Sequence, residues 1–523
     1  MVGVAGKSKG CNTCRKRKIA CDQQKPVCGN CTRSKRICGG YRKETVFVLV
    51  QPAAEKTHTF LRARSLSETD FVEGEELKLQ QDTGLSDAIS SLTSVVQGRQ
   101  ERGPFFPETS LAYAIMHSHI ERHNLVQAFL SSCFPSEWFA ASLSWLPLLG
   151  ELPTKVEALE TSSAAIAAAA LGHMSSDSVL VKQSLRYYTQ ALCQLRKALA
   201  SPNLALEDGT LAACMALSLY EALECPNLGS EGYFNHCRGL IALVQARGQD
   251  AHSVGAGHRL FLGVRVPEIL FALKEGHSTE LCELSWVERP WTNIPKTFRD
   301  LVTDCLAQAP AILERVGLLF HLDVPQRLDL VLELIDKCCQ IDNQLDGIDT
   351  RIRRSEDVLY WELPSRSAPL PFIDGYLGPL FAVVFCFQSA QVGATLMLLW
   401  AARTMLWSGL SNLYQLLEST ALSETSSRFV DHVSLSKIRH LPHRERCVEY
   451  LSMAHRVCQS VEYFLNDEML LAGPLSVSPA LGIVASSLLN RPGNSHEREI
   501  AWIQATLDMV RRKGLNVLRH AEI

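Results

Sequence analysis

At 523 residues, 46% of them apolar, the chain exceeds a single compact domain, and its capacity for a large core excludes general disorder. The net charge of −3 is the sum of two unlike parts. Residues 1–43 hold twelve Lys or Arg against Asp22 alone (+11), and the rest holds 40 bases against 54 acids (−14), so a basic nucleic-acid-binding end precedes a mildly acidic body.

Residues 1–10 are small and basic and read as a disordered lead-in to a cysteine module over 11–43. Its cysteines stand at Cys11, Cys14, Cys21, Cys28, Cys31 and Cys38, so the pattern C-x2-C-x6-C occurs twice without a slip. Structural zinc takes four tetrahedral thiolates. Six thiolates either fill one site and leave two idle, or fill two sites by sharing two sulfurs, one from each half of the repeat. Cations around such a cage offset its negative charge and keep the thiolates deprotonated. A forty-residue unit with few apolar side chains has no core of its own, so metal is expected to be a condition of folding. Between the second and third cysteines runs Arg15-Lys16-Arg17-Lys18, which suits both DNA and nuclear import.

This array resembles the fungal Zn2Cys6 binuclear cluster, the DNA-binding head of a large family of fungal transcription factors. The likeness extends to Cys21-Asp22 and to Lys25-Pro26 in the linking loop. It implies two Zn2+ ions bridged by Cys11 and Cys28, with Cys14 and Cys21 completing one site and Cys31 and Cys38 the other. It also implies that Lys18, with Arg17 beside it, reads a CGG triplet in the major groove. A cation on guanine O6 and N7 is the commonest specific contact. Arg15, Lys16, Arg33, Lys35 and Arg36 are then candidates for phosphate contacts, which fix register without reading sequence. One departure is Ala20, where the family usually carries Lys or Arg just before the third cysteine.

Residues 44–107 read as a linker: a short extended stretch at Glu44–Val50, then polar text rich in Ser, Thr, Glu and Gln. Within it, Leu85, Ile89, Leu92 and Val96 form a heptad-like stripe over 85–97 that lasts barely two heptads. Coiled coils need three or four, so the stripe reads either as a short dimerisation helix for a homodimer or as a helix docked on the body. Arg62-Ala-Arg64-Ser65 has the look of a basic-directed phosphorylation site on a solvated linker.

From residue 108 to 523 the text predicts helix after helix and no sheet, an all-α body. Leu185, Tyr188, Leu192, Leu195 and Leu199 mark one amphipathic face, ended by Ser201-Pro202. Asp208 and Thr210 offer caps for a helix over Leu211–Leu223, apolar nearly all round and therefore central. Tyr233 to Val244 predicts another, with Gly248 as its C-terminal cap. Further helices are expected around 156–174, 327–345, 380–417, 444–464 and 496–510. The most apolar stretch, Tyr376–Trp407, reads as a pair of buried helices rather than a membrane span. No signal-peptide core precedes it, and the twelve scattered cysteines fit a reducing compartment, so an intracellular protein without a membrane partner is expected.

The order of Ala164–Gly172, Val179–Leu199, Leu219-Tyr220-Glu221, His236–Gly248, Arg259-Leu260-Phe261 and Trp286–Trp291 resembles the fungal-specific transcription factor domain. No serine-nucleophile elbow, phosphate loop or zinc-protease signature appears. His117, His119 and His123 read as ordinary histidines, Gly255-Ala-Gly257 as a turn, and Arg238 and Arg247 as buried structural cations. No catalytic residue is assigned. The resulting expectation is a nuclear regulator of RNA polymerase II transcription acting through CGG-containing DNA and the transcription machinery, most simply an activator of a secondary-metabolite gene cluster. Control of nutrient catabolism by the same mechanism is the alternative, and a DNA-tethered enzyme a remote third.

Overall fold

The computed structural model describes residues 13–14, 17, 19, 21–22, 28–34, 36 and 38 of an N-terminal unit. Of a second unit it describes 119–135, 143–153, 155–224, 231–355, 358–366, 380–422, 445–489 and 496–516. The extended stretch at 44–50, the 85–97 stripe and the Arg62–Ser65 motif lie outside the described residues. The first unit contains the short helix α1 (Gly29–Arg33).

The second unit is helical, as its periodicity implies. It begins with α2 (His119–Cys133), α3 (Glu157–Ser175), α4 (Ser178–Ala200) and α5 (Asp208–Glu224). α3 is a run of alanines, so α4 and α5 pack closely against it. A Cβ added at Gly172 would meet Val181 Cγ2 at 2.8 Å. The turn between α3 and α4 is tight: Ser176 takes a left-handed conformation (φ 57°), and Asp177 caps α4 by accepting from the Val179 and Leu180 N–H groups at 2.8 and 3.1 Å. The buried face of α4 differs from the expected leucine stripe. Leu185 faces solvent, and Ser184, Tyr187, Tyr188, Ala191, Leu195 and Ala198 face inward. Against an alanine-rich neighbour, small residues permit the closest approach, and the larger leucines move to the flank.

α5 is buried from Gly209 to Leu223, the central helix its composition predicts. α6 (Glu231–Arg247) ends at Gly248 (φ 74°), as expected. Arg247 is a buried cation that pairs with Asp208 and donates to the Leu206 carbonyl at 2.7 Å, pinning α6 to the start of α5. Arg238 corrects the expectation: its side chain is 41% exposed and reaches Glu275 at 3.2 Å. Gly255-Ala-Gly257 also corrects it, for it opens α7 (Gly255–Glu275) rather than forming only a turn. Gly257 is required there, because a Cβ would lie 2.1 Å from the Ala251 carbonyl oxygen.

That junction buries His252, whose Nδ1 lies 3.0 Å from the Gly257 carbonyl and whose ring stacks on Phe261 at 5.2 Å. Burial pushes the His252 and His236 imidazoles down to about 4. Glu268 is buried too, accepts from Thr279 Oγ1 at 2.6 Å, and has its carboxyl pushed up to about 7 by burial. The unfolded chain protonates both histidines below about pH 6.5, so their roughly 3 kcal/mol each is lost as pH falls from 6.5 toward 4. Glu268 acts oppositely, destabilising the fold as pH rises from 4.5 to 7. Urea unfolding of the full chain should therefore show His252→Phe flattening, and Glu268→Gln steepening, the loss of stability from pH 6.5 to 5. An unchanged slope in both variants would contradict this account.

The remainder comprises α8 (Phe298–Leu306), α9 (Ala309–Leu318), α10 (Val324–Ser355), β1 (Tyr360–Pro364), β2 (Val383–Phe387), α11 (Ala390–Leu422), α12 (Tyr450–Phe464), α13 (Ala472–Leu489) and α14 (Glu497–Arg512). β1 and β2 pair antiparallel with Tyr360 opposite Phe387 and Glu362 opposite Phe385. The sheetless body and the helix expected from 380 are thus corrected: the described residues 380–407 hold a strand and the first part of one long helix. Val383 to Phe387 is β-branched and aromatic. Ser389, accepting the Val392 N–H at 3.2 Å, then starts α11. Helices α10, α12 and α13 assemble on α11. Among the described residues α13 is long and apolar enough to cross a membrane, but 61% of it is buried within the body.

Candidate metal and DNA-binding site

The sequence repeat of the N-terminal module is also a repeat of backbone structure. Cys11, Cys14 and Cys21 recur seventeen positions on as Cys28, Cys31 and Cys38. In the first half the Arg17 N–H donates to the Thr13 carbonyl and the Ile19 N–H to the Cys14 carbonyl, both at 3.1 Å. Seventeen residues later the Ser34 N–H donates to Asn30 at 3.3 Å and the Arg36 N–H to Cys31 at 3.0 Å. The second cysteine of each half thus lies within the helical turn, which in the second half is α1. Cys28 caps α1: its backbone is extended and its Sγ accepts the Cys31 N–H at 3.3 Å.

The sulfurs converge. Cys14, Cys28 and Cys31 are fully buried, with Cys21 and Cys38 packed against them, and their three Sγ atoms lie within 4.8 Å of one another. Cys28 also belongs to a second group, with Cys21 and the Asp22 carboxylate, within the same limit. Cys14 Sγ and Cys28 Sγ are 3.6 Å apart. A disulfide needs about 2.05 Å, so these are free thiols, whereas two sulfurs on one tetrahedral zinc sit about 3.8 Å apart. A buried set of thiols at that spacing, the apolar cluster of the module's described residues, fits zinc.

Cys11, Arg15, Lys16, Lys18, Lys35 and the departure at Ala20 lie outside the described residues. Arg17, Arg33 and Arg36 are exposed, as phosphate-contacting cations must be. Arg33 is not free-swinging: its Nη2 donates to Asn30 Oδ1 at 2.6 Å. Sequence reasoning missed this bond and a second one, from the Gly29 N–H to Asp22 Oδ1 at 3.1 Å. In the body, His123 is exposed with Nδ1 3.3 Å from the Gly150 carbonyl, while His117 and the His119 side chain lie outside the described residues.

Comparison with known proteins matches a stretch of each part. The family model described as the fungal Zn(2)-Cys(6) binuclear cluster domain matches residues 9–45, and that of the fungal specific transcription factor domain matches 121–263. The cluster domain binds two zinc ions, and these are families of transcription regulators, not of enzymes. An uncharacterised transcriptional regulatory protein of Schizosaccharomyces pombe is 66% identical over 32 residues, 6% of each chain. White-opaque regulator 2 of Candida albicans is 64% identical over 33 residues, 6% of this chain and 7% of its own. An uncharacterised protein of Emericella nidulans is 30% identical over 122 residues, 23% of this chain and 26% of its own. The matched stretches thus span about a quarter or less of these relatives. No solved structure matches significantly.

Proposed function

We propose that this chain, a fungal Zn2Cys6 transcription factor by its two matched domains, binds CGG-containing promoter sites in the nucleus and regulates RNA polymerase II transcription there. The observation that carries the reading is the buried convergence of Cys14, Cys28 and Cys31 beneath exposed Arg17, Arg33 and Arg36. In this reading Cys11 and Cys28 bridge two ions, Cys14 and Cys21 complete one site, and Cys31 and Cys38 the other. That Cys28 Sγ neighbours Cys14 and Cys21 of one proposed site and Cys31 of the other supports its bridging place. Zinc supplies cross-linking: it fixes the two turns that present the cations.

Lys18 and Arg17 read the base triplet, while Arg15, Lys16, Arg33, Lys35 and Arg36 hold phosphates. The Asn30 bond restricts the Arg33 guanidinium and orients it for that task. The helical body governs when the head acts, and the regulated genes form a secondary-metabolite cluster in preference to a nutrient pathway. Genome-wide mapping of bound sites, read with binding-site selection, tests both levels. Lys18→Ala should lose about 1–3 kcal/mol of preference for CGG over altered triplets. Arg36→Ala should weaken all sites alike and reduce the salt slope by about one. Intact CGG preference in Lys18→Ala would remove the base-contact assignment.

A further inference from the structure

We infer that Asp22 is a positioning residue that fastens the two halves of the cysteine repeat together and sets the approach of Cys21 to Cys28. This rests on the cluster reading above and extends it to a residue that is not a thiolate. Asp22 follows the last cysteine of the first half, and Gly29 follows the first cysteine of the second half. The Gly29 N–H donates to Asp22 Oδ1 at 3.1 Å. Gly29 is the first residue of α1, so its N–H has no acceptor within the helix. The bond therefore satisfies an orphan donor and joins the backbone at Cys28 to the residue after Cys21. Among the described residues, the backbone bonds donated by Arg17, Ile19, Cys31, Thr32, Ser34 and Arg36 each stay within one half.

Two further observations point the same way. An Asp22 carboxylate oxygen lies within 4.8 Å of both Cys21 Sγ and Cys28 Sγ. By charge alone a carboxylate there is unfavourable, since it opposes ionisation of neighbouring thiols. Its benefit must come from its hydrogen bond. The repeat also predicts a counterpart to Asp22 seventeen positions on, and that residue is Gly39, which has no carboxylate. The link stands at the junction of the halves, beside the Cys28 that both proposed sites share. Outer residues that orient metal ligands typically change affinity by about 10–100-fold.

The test uses the full-length chain, elemental analysis for zinc content and competition with a chromophoric chelator. Asp22→Ala should still hold two zinc ions at saturation but yield the weaker one about 10–100-fold more readily. Asp22→Asn, whose amide oxygen accepts the same N–H, should stay near the parent chain. Three results overturn the inference: Asp22→Ala releasing zinc like the parent, both variants holding zinc more tightly, which leaves only charge, or Asp22→Ala saturating at one ion, which makes Asp22 a ligand. A parent chain that never holds two ions sinks the cluster reading itself, a failure visible before any variant is made.

Discussion

Cys28→Ser should strip the module of both zinc ions and lower specific DNA affinity by on the order of a thousandfold or more, the gap between specific and non-specific binding. Cys28 Sγ lies within 4.8 Å of Cys14 and Cys21, which belong to one proposed site, and of Cys31, which belongs to the other. A hydroxyl in its place removes a ligand from each ion at once, and it also removes the acceptor for the Cys31 N–H at the start of α1. Among the described residues of the module, the buried ones are Cys14, Cys28 and Cys31 themselves. Binding free energies of roughly 10–16 kcal/mol for structural zinc are folding free energies in such units. Cys31→Ser is the control, since Cys31 belongs to one proposed site alone. Elemental analysis should read two ions in the parent, none in Cys28→Ser and one in Cys31→Ser. Two retained ions in Cys28→Ser would show that Cys28 does not bridge. A strong zinc chelator added to the parent should reproduce the Cys28→Ser loss of DNA binding, reversed by excess zinc.

The module was legible because metal coordination imposes a strict pattern on sequence. Ligand type, spacing and the seventeen-residue repeat all survive as letters, and the paired backbone bonds at Arg17/Ser34 and Ile19/Arg36 are the same repeat in space. The Gly29–Asp22 bond was not legible, since it breaks the repeat instead of obeying it. In the body, α5 and the Gly248 cap could be read because one depends on composition and the other on backbone stereochemistry. The face of α4 was misplaced for a physical reason. Periodicity counts large apolar residues, while the alanine-rich surface of α3 selects small ones, Ser184, Ala191 and Ala198. The β-ribbon was hidden likewise: Val383–Phe387 is an apolar run too short to show a period, continuous with the apolar text of α11. Arg403 interrupts that text, and the sequence offers no sign of which acids it meets.

Those acids make Arg403 the most consequential polar residue of the body. Asp342, Asp346 and Asp349 recur at four and three along one face of α10, and Arg403 of α11 is inserted among them with its side chain 8% exposed. Its Nη2 reaches Asp346 at 2.7 Å and its Nη1 reaches Asp349 at 3.0 Å. Asp342 is fully buried, accepts from Trp407 Nε1 at 2.8 Å and pairs with Arg446 at 3.1 Å; Arg446 also pairs with Asp346. Arg403→Met keeps an unbranched apolar stem and removes the charge, leaving buried Asp349 with Arg353, itself 51% exposed, at 3.1 Å. Breaking a buried pair in this way costs about 3–5 kcal/mol, far more than the pair contributes relative to apolar groups. The urea midpoint of the body should fall accordingly, and adding Asp346→Asn and Asp349→Asn to Arg403→Met should recover much of the loss. Arg446→Ala should cost less, because its side chain is 42% exposed and water can solvate what it leaves. If Arg403→Met proves neutral, charge balance does not hold α10 to α11. Because the cysteine module is a separate compact unit, the same variant should keep both zinc ions, so that the damage falls on the helical body and spares the module.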